Sequence, residues 1–167
     1  MANKLNSLDD LLNVVPGLKR SRRMSADQLR LMLDRQKGQC TWCGAPVPKG
    51  RRTWCSDACV TSFNLRCSPQ HQANFVLERD GGTCQICGRD TVAAEKLYRE
   101  AWKRVKDQYG IAYSQYGKAQ LKLKTSFGFA RGHWREVDHI VPVVLGGGLC
   151  TVEQLRLICG VCHADVT

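Results

Sequence analysis

Between residues 137 and 163 the chain places Asp138 and His139 side by side, then Gly146-Gly147-Gly148, then Cys159, Cys162 and His163. A carboxylate and two imidazoles are donors for a divalent ion, and an imidazole also titrates near neutral pH. A C-x-x-C pair aims two thiolates at one ion, as structural zinc requires. The stretch therefore predicts a metal-assisted site braced by a structural zinc.

The chain holds ten cysteines in 167 residues, and most come in pairs. Cys40 and Cys43 form one C-x-x-C knuckle, and Cys55 and Cys59 a C-x-x-x-C pair spaced like neighbours on a first helical turn. Four thiolates make a closed tetrahedral site, so this zinc is predicted to be structural. The segment 29–44 aligns without a gap to 73–88, matching Leu33 to Leu77, Asp34 to Glu78, Arg35 to Arg79 and Gly38 to Gly82. Each copy reads as helix, glycine turn, knuckle, so two zinc centres are expected. Cys84 and Cys87 then need partners, and the paired cysteines left are Cys159 and Cys162. Cys67 and Cys150 remain over as core thiols, with Cys67 a competitor for the first zinc.

The elements that position these residues follow from periodicity. Residues 1–24 form a helix or arm, with Leu5, Leu8, Leu11 and Leu12 on one face, Ser7 as N-cap and Pro16-Gly17 as its end. That arm is a candidate contact for a protein partner or for phosphates. Residues 25–68 read as a helix followed by the four-cysteine finger. In 69–167, the part from about 90 to 132 is a basic insertion. Its first half is a helix with Leu97, Ala101 and Val105 on one stripe. Residues 118–124 suit a strand as well as a helix. Residues 133–143 read as a strand ending at Pro142, with Val137 and His139 on one face and Asp138 on the other. A second short strand spans 155–158, and a helix begins near Gly160. The fold class is α+β: a small zinc-stapled domain, a basic insertion and an N-terminal zinc finger.

The formal net charge is +10, and it is concentrated. From Glu95 to Arg135 ten Lys or Arg stand against three acids, and Lys19, Arg20, Arg22 and Arg23 make a second cluster. Such patches suit a nucleic-acid partner. Lys103, Arg104, Lys106, Lys118, Lys122, Lys124, Arg131 and Arg135 are the candidate DNA contacts, with Tyr109, Tyr113 and Tyr116 interleaved where bases could stack. No apolar run is long enough to span a bilayer, and the first residues carry acids where a secretory leader has a basic start. An intracellular protein is expected, in a prokaryotic cytoplasm or a eukaryotic nucleus. Nothing in the residues signals an oligomeric state.

The run E-V-D-H-I-V-P-V, the triple glycine, Q-L-R-L-I-C and the final C-x-x-C-H, with the upstream L-E-R-D-G-G-T-C-Q-I-C-G, together resemble the HNH endonucleases of the ββα-metal superfamily. The W-C-S-x-x-C run of the finger adds a similarity to the nuclease domains of annealing helicases with a Ran-binding-type zinc finger. The resemblance implies a ββα-metal, treble-clef-like core in 69–167 and a metal-dependent DNA endonuclease, acting on branched or forked DNA by analogy. It implies His139 as general base, Asp138 and His163 as ligands of one Mg²⁺ or Mn²⁺, and two structural zincs. Gln154 stands where the family has its name-giving Asn; it keeps the amide but adds a methylene. That departure supports an alternative, a non-catalytic zinc-finger DNA-binding or adaptor module on the same fold.

Overall fold

Both knuckles close with the same two backbone hydrogen bonds. Cys40 N donates to Ala45 O (2.8 Å) and Gly44 N to Cys40 O (2.9 Å); Cys84 N donates to Arg89 O (2.8 Å) and Gly88 N to Cys84 O (2.9 Å). Gly44 and Gly88 have φ of 77° and 71°, a left-handed conformation that costs glycine little. The internal repeat is thus a repeat in three dimensions. The structure is a computed structural model that describes residues 5–109, 115–126 and 133–166, with the side chains of 108 and 109 left aside.

In chain order the helices are α1 (Leu8–Val14), α2 (Ala26–Met32), α3 (Asp57–Cys67), α4 (Pro69–Arg79), α5 (Thr91–Tyr109) and α6 (Tyr116–Ser126). They are followed by β1 (Arg135–His139), β2 (Leu155–Cys159) and α7 (Gly160–Val166), with β1 and β2 hydrogen-bonded as a two-stranded sheet. The chain parts into two compact units: Met1–Phe75 with His139–Leu155, and Val76–Asp138 with Arg156–Thr167. This division crosses the one expected from sequence (1–24, 25–68, 69–167). It falls inside α4 and, on β1, between Asp138 and His139.

In the first unit, Ser7 caps α1 as expected: its hydroxyl accepts from Asp10 N (3.1 Å) while the Asp10 carboxylate accepts from Ser7 N (3.0 Å). Leu8, Leu11 and Leu12 are buried in a core with Met24, Leu29, Leu33, Phe63, Cys67 and Leu149. Helix α1 is therefore part of the packed unit, and Asp9 pairs with Arg66 at 2.8 Å. Trp54 stacks on Phe63 with centroids 4.9 Å apart, tying the first finger to that core. The repeat diverges here, because α2 stops at Met32 and Asp34 takes φ 49°, whereas its counterpart Glu78 lies inside α4.

Leu149 reaches this core because the triple glycine lets two backbones meet. Gly148 N donates to Lys19 O (2.6 Å) and Leu149 N to Ser21 O (2.7 Å). A Cβ at Gly148 would overlap both acceptor oxygens, and one at Gly147 would overlap Val141 O. The 3-10 turn Pro16–Arg20 is thereby clamped to the loop that follows His139.

In the second unit, Ile158, Cys84, Cys159 and Cys162 form a small core with Ala94, Trp134 and Val161 against it. Gln85 N donates to Leu157 O (2.8 Å), and Leu157 N donates to the Asp80 carboxylate (2.9 Å), so β2 is bonded to the knuckle and to the end of α4. The expected stripe Leu97, Ala101 and Val105 is not the buried one: Leu97 is 57% exposed, while Tyr98 and Trp102 are buried. Aromatic rings remove more surface from water, and α5 turns them inward. Tyr98 packs on Trp134 (4.9 Å) and Trp102 on Tyr116 (5.6 Å, edge to face), so Tyr116 has a packing role. Residues 118–124 are helical, within α6, so the strand alternative is excluded. Tyr113, Arg131 and the side chain of Tyr109 lie outside the described residues.

The glycine clamp and the Asp80 carboxylate each set a measurable part of the stability. Gly148→Ala should cost about 1–3 kcal/mol through backbone overlap, whereas Gly17→Ala, with open space around it, should stay within about 0.5 kcal/mol. Equal denaturation midpoints for the two would contradict the clamp. Asp80 is 8% exposed at its side chain and accepts from Arg79 at 2.7 and 2.9 Å. Those Arg79 bonds, helped by the Leu157 amide, hold its carboxyl below the ordinary range. A lowered folded value gives stability that is present above the unfolded value and lost as pH falls through the folded one, so it is complete at neutral pH. Asp80→Ala should therefore cost about 1–3 kcal/mol at pH 7 in urea unfolding, and an unchanged midpoint would contradict it.

Candidate metal centres and the Asp138–His139 strand end

Among the described residues, two sets gather metal-ligating atoms within 4.8 Å of one another: Cys40, Cys43, Cys55 and Cys59, and Cys84, Cys87, Cys159 and Cys162. In the first set, Sγ of Cys43 and Cys55 are 3.5 Å apart, Cys55 and Cys59 3.5 Å, and Cys59 and Cys43 3.7 Å. In the second, Cys87 and Cys159 are 3.8 Å apart. A tetrahedral zinc with bonds of about 2.3 Å sets sulfurs about 3.8 Å from one another. None of the ten thiols forms a disulfide. The donor sets fit zinc.

The local electrostatics fit as well. Burial raises the Cys40 thiol, but backbone hydrogen bonds from Cys43, Cys55 and Trp42 outweigh it and bring the group to about 6. Burial likewise raises Cys84, and backbone bonds from Cys87, Cys159 and Ile86 bring it to about 6. The same position of each knuckle is thus prepared as a thiolate. Burial and the neighbouring thiols push Cys59 up to about 12, and they push Cys162 up as well. Crowding thus opposes ionisation of all four thiols together, and a dication relieves that repulsion. Each set has four protein ligands and no open position, so its task is to hold the fold.

Cys67 and Cys150 are buried in the first unit, and burial pushes Cys67 up to about 12 and Cys150 upward. Cys67 packs among Leu8, Leu29 and Phe63. It stands outside both thiol sets and does not compete for the first zinc.

Asp138 and His139 end β1, and His163 lies on α7 directly after Cys162. These three are not among the gathered donor sets. The Asp138 carboxylate is held by Arg156 of β2, with Nε at 2.9 Å and Nη2 at 2.8 Å, both on Oδ2. Sequence reading missed Arg156. The signal was the alternation in β2, where Leu155 and Leu157 are buried and Arg156 between them faces the other way. Gln154 is exposed; its side-chain oxygen accepts from Thr151 N (3.4 Å), within its own turn. Its backbone carbonyl accepts from Ile140 N (3.0 Å), bracing the residue after His139. The main chain thus provides the brace there, and the amide side chain is engaged locally.

The basic insertion presents some of its expected contacts. Lys103, Arg104, Lys118 and Lys122 are exposed. Lys106 is half-buried, and Lys124 sits over the Trp134 ring at 5.8 Å. Arg135 is committed to Glu95 at 2.8 Å, and Glu95 also holds Arg99 at 2.6 Å. Glu95 lies below the ordinary carboxylate range because these two guanidinium groups overcome its burial. Among the described residues no helix is long and apolar enough to cross a membrane.

Fold and thiol geometry define a small α+β protein with two four-cysteine centres of the zinc-finger kind. Across 119 residues, 68% of the chain, it is 32% identical to "DNA annealing helicase and endonuclease ZRANB3" of Homo sapiens; the Mus musculus and Bos taurus proteins of the same name are 31% and 30% identical over 118 residues. The chain spans 11% of the length of these relatives. No family model matches the chain, and no solved structure matches it.

Elemental analysis should find two zincs per chain. Cys43→Ser and Cys87→Ser should each leave one, and a strong chelator should unfold the protein, because each site supplies on the order of 10 kcal/mol of apparent binding energy. Two zincs retained in both variants would contradict the ligand assignment.

Proposed function

We propose that the chain is a metal-dependent DNA endonuclease of the HNH type that hydrolyses phosphodiester bonds. The observation that carries the reading is the succession β1, glycine loop, β2, α7, with Asp138 and His139 ending the first strand and His163 directly after a zinc-set cysteine. The 32% identity to a protein whose name includes DNA annealing helicase and endonuclease supports it.

In this reading Asp138 and His163 hold one Mg²⁺ or Mn²⁺. Carboxylate and imidazole suit such ions, and the ion supplies charge neutralisation at the scissile phosphate. The imidazole of His139 accepts the proton of the attacking water, a role that suits histidine side chains in general. Arg156 anchors Oδ2 of Asp138 and leaves Oδ1 to serve as ligand. Gln154 steadies the residue after His139 through its carbonyl, so the added methylene of its side chain matters less. The second zinc set, Cys84, Cys87, Cys159 and Cys162, holds the end of β2 against the start of α7. Lys103, Arg104, Lys118 and Lys122 contact the DNA backbone, with branched or forked DNA the preferred substrate and a prokaryotic cytoplasm or a eukaryotic nucleus the site of action.

A second reading is a zinc-finger DNA-binding or adaptor module without catalysis. The Arg156 pair on Asp138 and the local engagement of the Gln154 amide favour it. Plasmid and forked-DNA cleavage in Mg²⁺ or Mn²⁺, with His139→Ala alongside, separates the two. The nuclease reading expects metal-dependent cleavage that falls by about 10²–10⁴-fold in the variant. Equal cleavage by both proteins would remove His139 as base, and DNA binding without cleavage in any divalent ion would establish the adaptor.

A further inference from the structure

The basic run between α1 and α2 takes no part in the site described above, yet the fold holds it rigidly. Residues 16–24 (P-G-L-K-R-S-R-R-M) contain four cations and no acid. Lys19 O and Ser21 O accept from Gly148 N and Leu149 N, which ties the run to the loop that starts after His139. At its other end Met24 is buried, and its amide donates to Cys67 O (3.2 Å). Between these anchors the Ser21 hydroxyl donates to Arg23 O (2.7 Å) and orders the turn. Arg20, Arg22 and Arg23 are exposed, and no ion pair engages them among the described residues. Asp9, which lines a cavity with Lys19, is taken by Arg66.

Three exposed arginines on a short segment pinned at both ends repel one another, weakly in salt, and a bound polyanion removes that repulsion. Holding them in place lowers the ordering cost of a contact, and the guanidinium fork suits phosphate oxygens. The glycine clamp has a consequence of the same kind: it joins these cations to the loop of His139 inside one compact unit.

We infer that residues 19–23 form a DNA phosphate-backbone contact, in which Arg20, Arg22 and Arg23 register the duplex flank against the loop that follows His139. This rests on the reading that the chain acts on DNA. The contact reads charge and spacing along the backbone, with no base readout.

The test is binding of a labelled DNA duplex by anisotropy across about 50 to 200 mM salt, in protein with both zincs loaded. The triple variant R20A/R22A/R23A should reduce the slope of log K against log salt by about 0.9 for each phosphate it no longer neutralises, or about 2–3 in all. The triple lysine variant R20K/R22K/R23K should keep the slope, because counterion release follows charge. A control, K37A/K49A/K96A, removes the same charge elsewhere and should leave the slope within about 0.5 of the wild-type value. An unchanged slope in the arginine-to-alanine variant would overturn the inference, as would an equal fall in the control. Failure of the wild-type protein to bind DNA would overturn both the inference and the reading beneath it, and that is read before any variant is made.

Discussion

The closure of Cys84 and Cys87 onto Cys159 and Cys162 is the constraint on which the second unit depends. Cys87 and Cys159 are 72 positions apart, yet their sulfurs lie 3.8 Å from one another. Bringing such distant residues together costs about 4 kcal/mol or more in chain entropy. The apolar cluster directly around these thiols is small, with Ile158 its large aliphatic, so packing at the closure offsets only part of that cost. A zinc held by four thiolates contributes on the order of 10 kcal/mol, which is enough. The end of β2 and the start of α7 are fixed by this closure, since Cys159 and Cys162 flank their junction. A long insertion is tolerable between the paired ligands for the same reason: once the metal has closed the loop, further length adds little entropy cost.

One local device is used twice for different ends. Knuckle, left-handed glycine and thiolate-stabilising amides recur at an offset of 44 residues. In the first copy the partner cysteines come from the nearby C-x-x-x-C on α3, and Trp54 and Phe63 attach the finger to a leucine core. In the second they come from the end of the chain, and the finger becomes the clasp of a domain. Asp80 strengthens the clasp by holding the amide of Leu157.

What could be read from the sequence was mostly local. The knuckles, their glycines, the Ser7 cap and both strands follow from spacing within a few residues, and the structure has them near their expected places, except that β1 ends at His139, three residues before Pro142. One distant pairing was also legible, that of Cys84 and Cys87 with Cys159 and Cys162, because unpaired ligands need partners; other contacts between distant segments carried no such signal. The clamp of residues 19–21 on Gly148 and Leu149 was invisible, although the triple glycine that permits it was plain to see. On α5 two apolar stripes competed, and the aromatic one was buried because it packs on Trp134 and Tyr116, both far along the chain. At the candidate site, Asp138 and His139 could be singled out by type, but the Arg156 partner needed the strand pairing. Gln154 stood out as a departure, and its engagement with Thr151 could not be read from its identity alone.

X-ray absorption at the zinc edge tests the central claim most directly. If both thiol sets hold the fold as described, the spectrum of the metal-replete protein fits four sulfurs per zinc at about 2.3 Å with no nitrogen or oxygen scatterer. A mixed shell with histidine nitrogen, or fewer than four sulfurs per zinc, would contradict it and assign the closure of the second unit to other ligands.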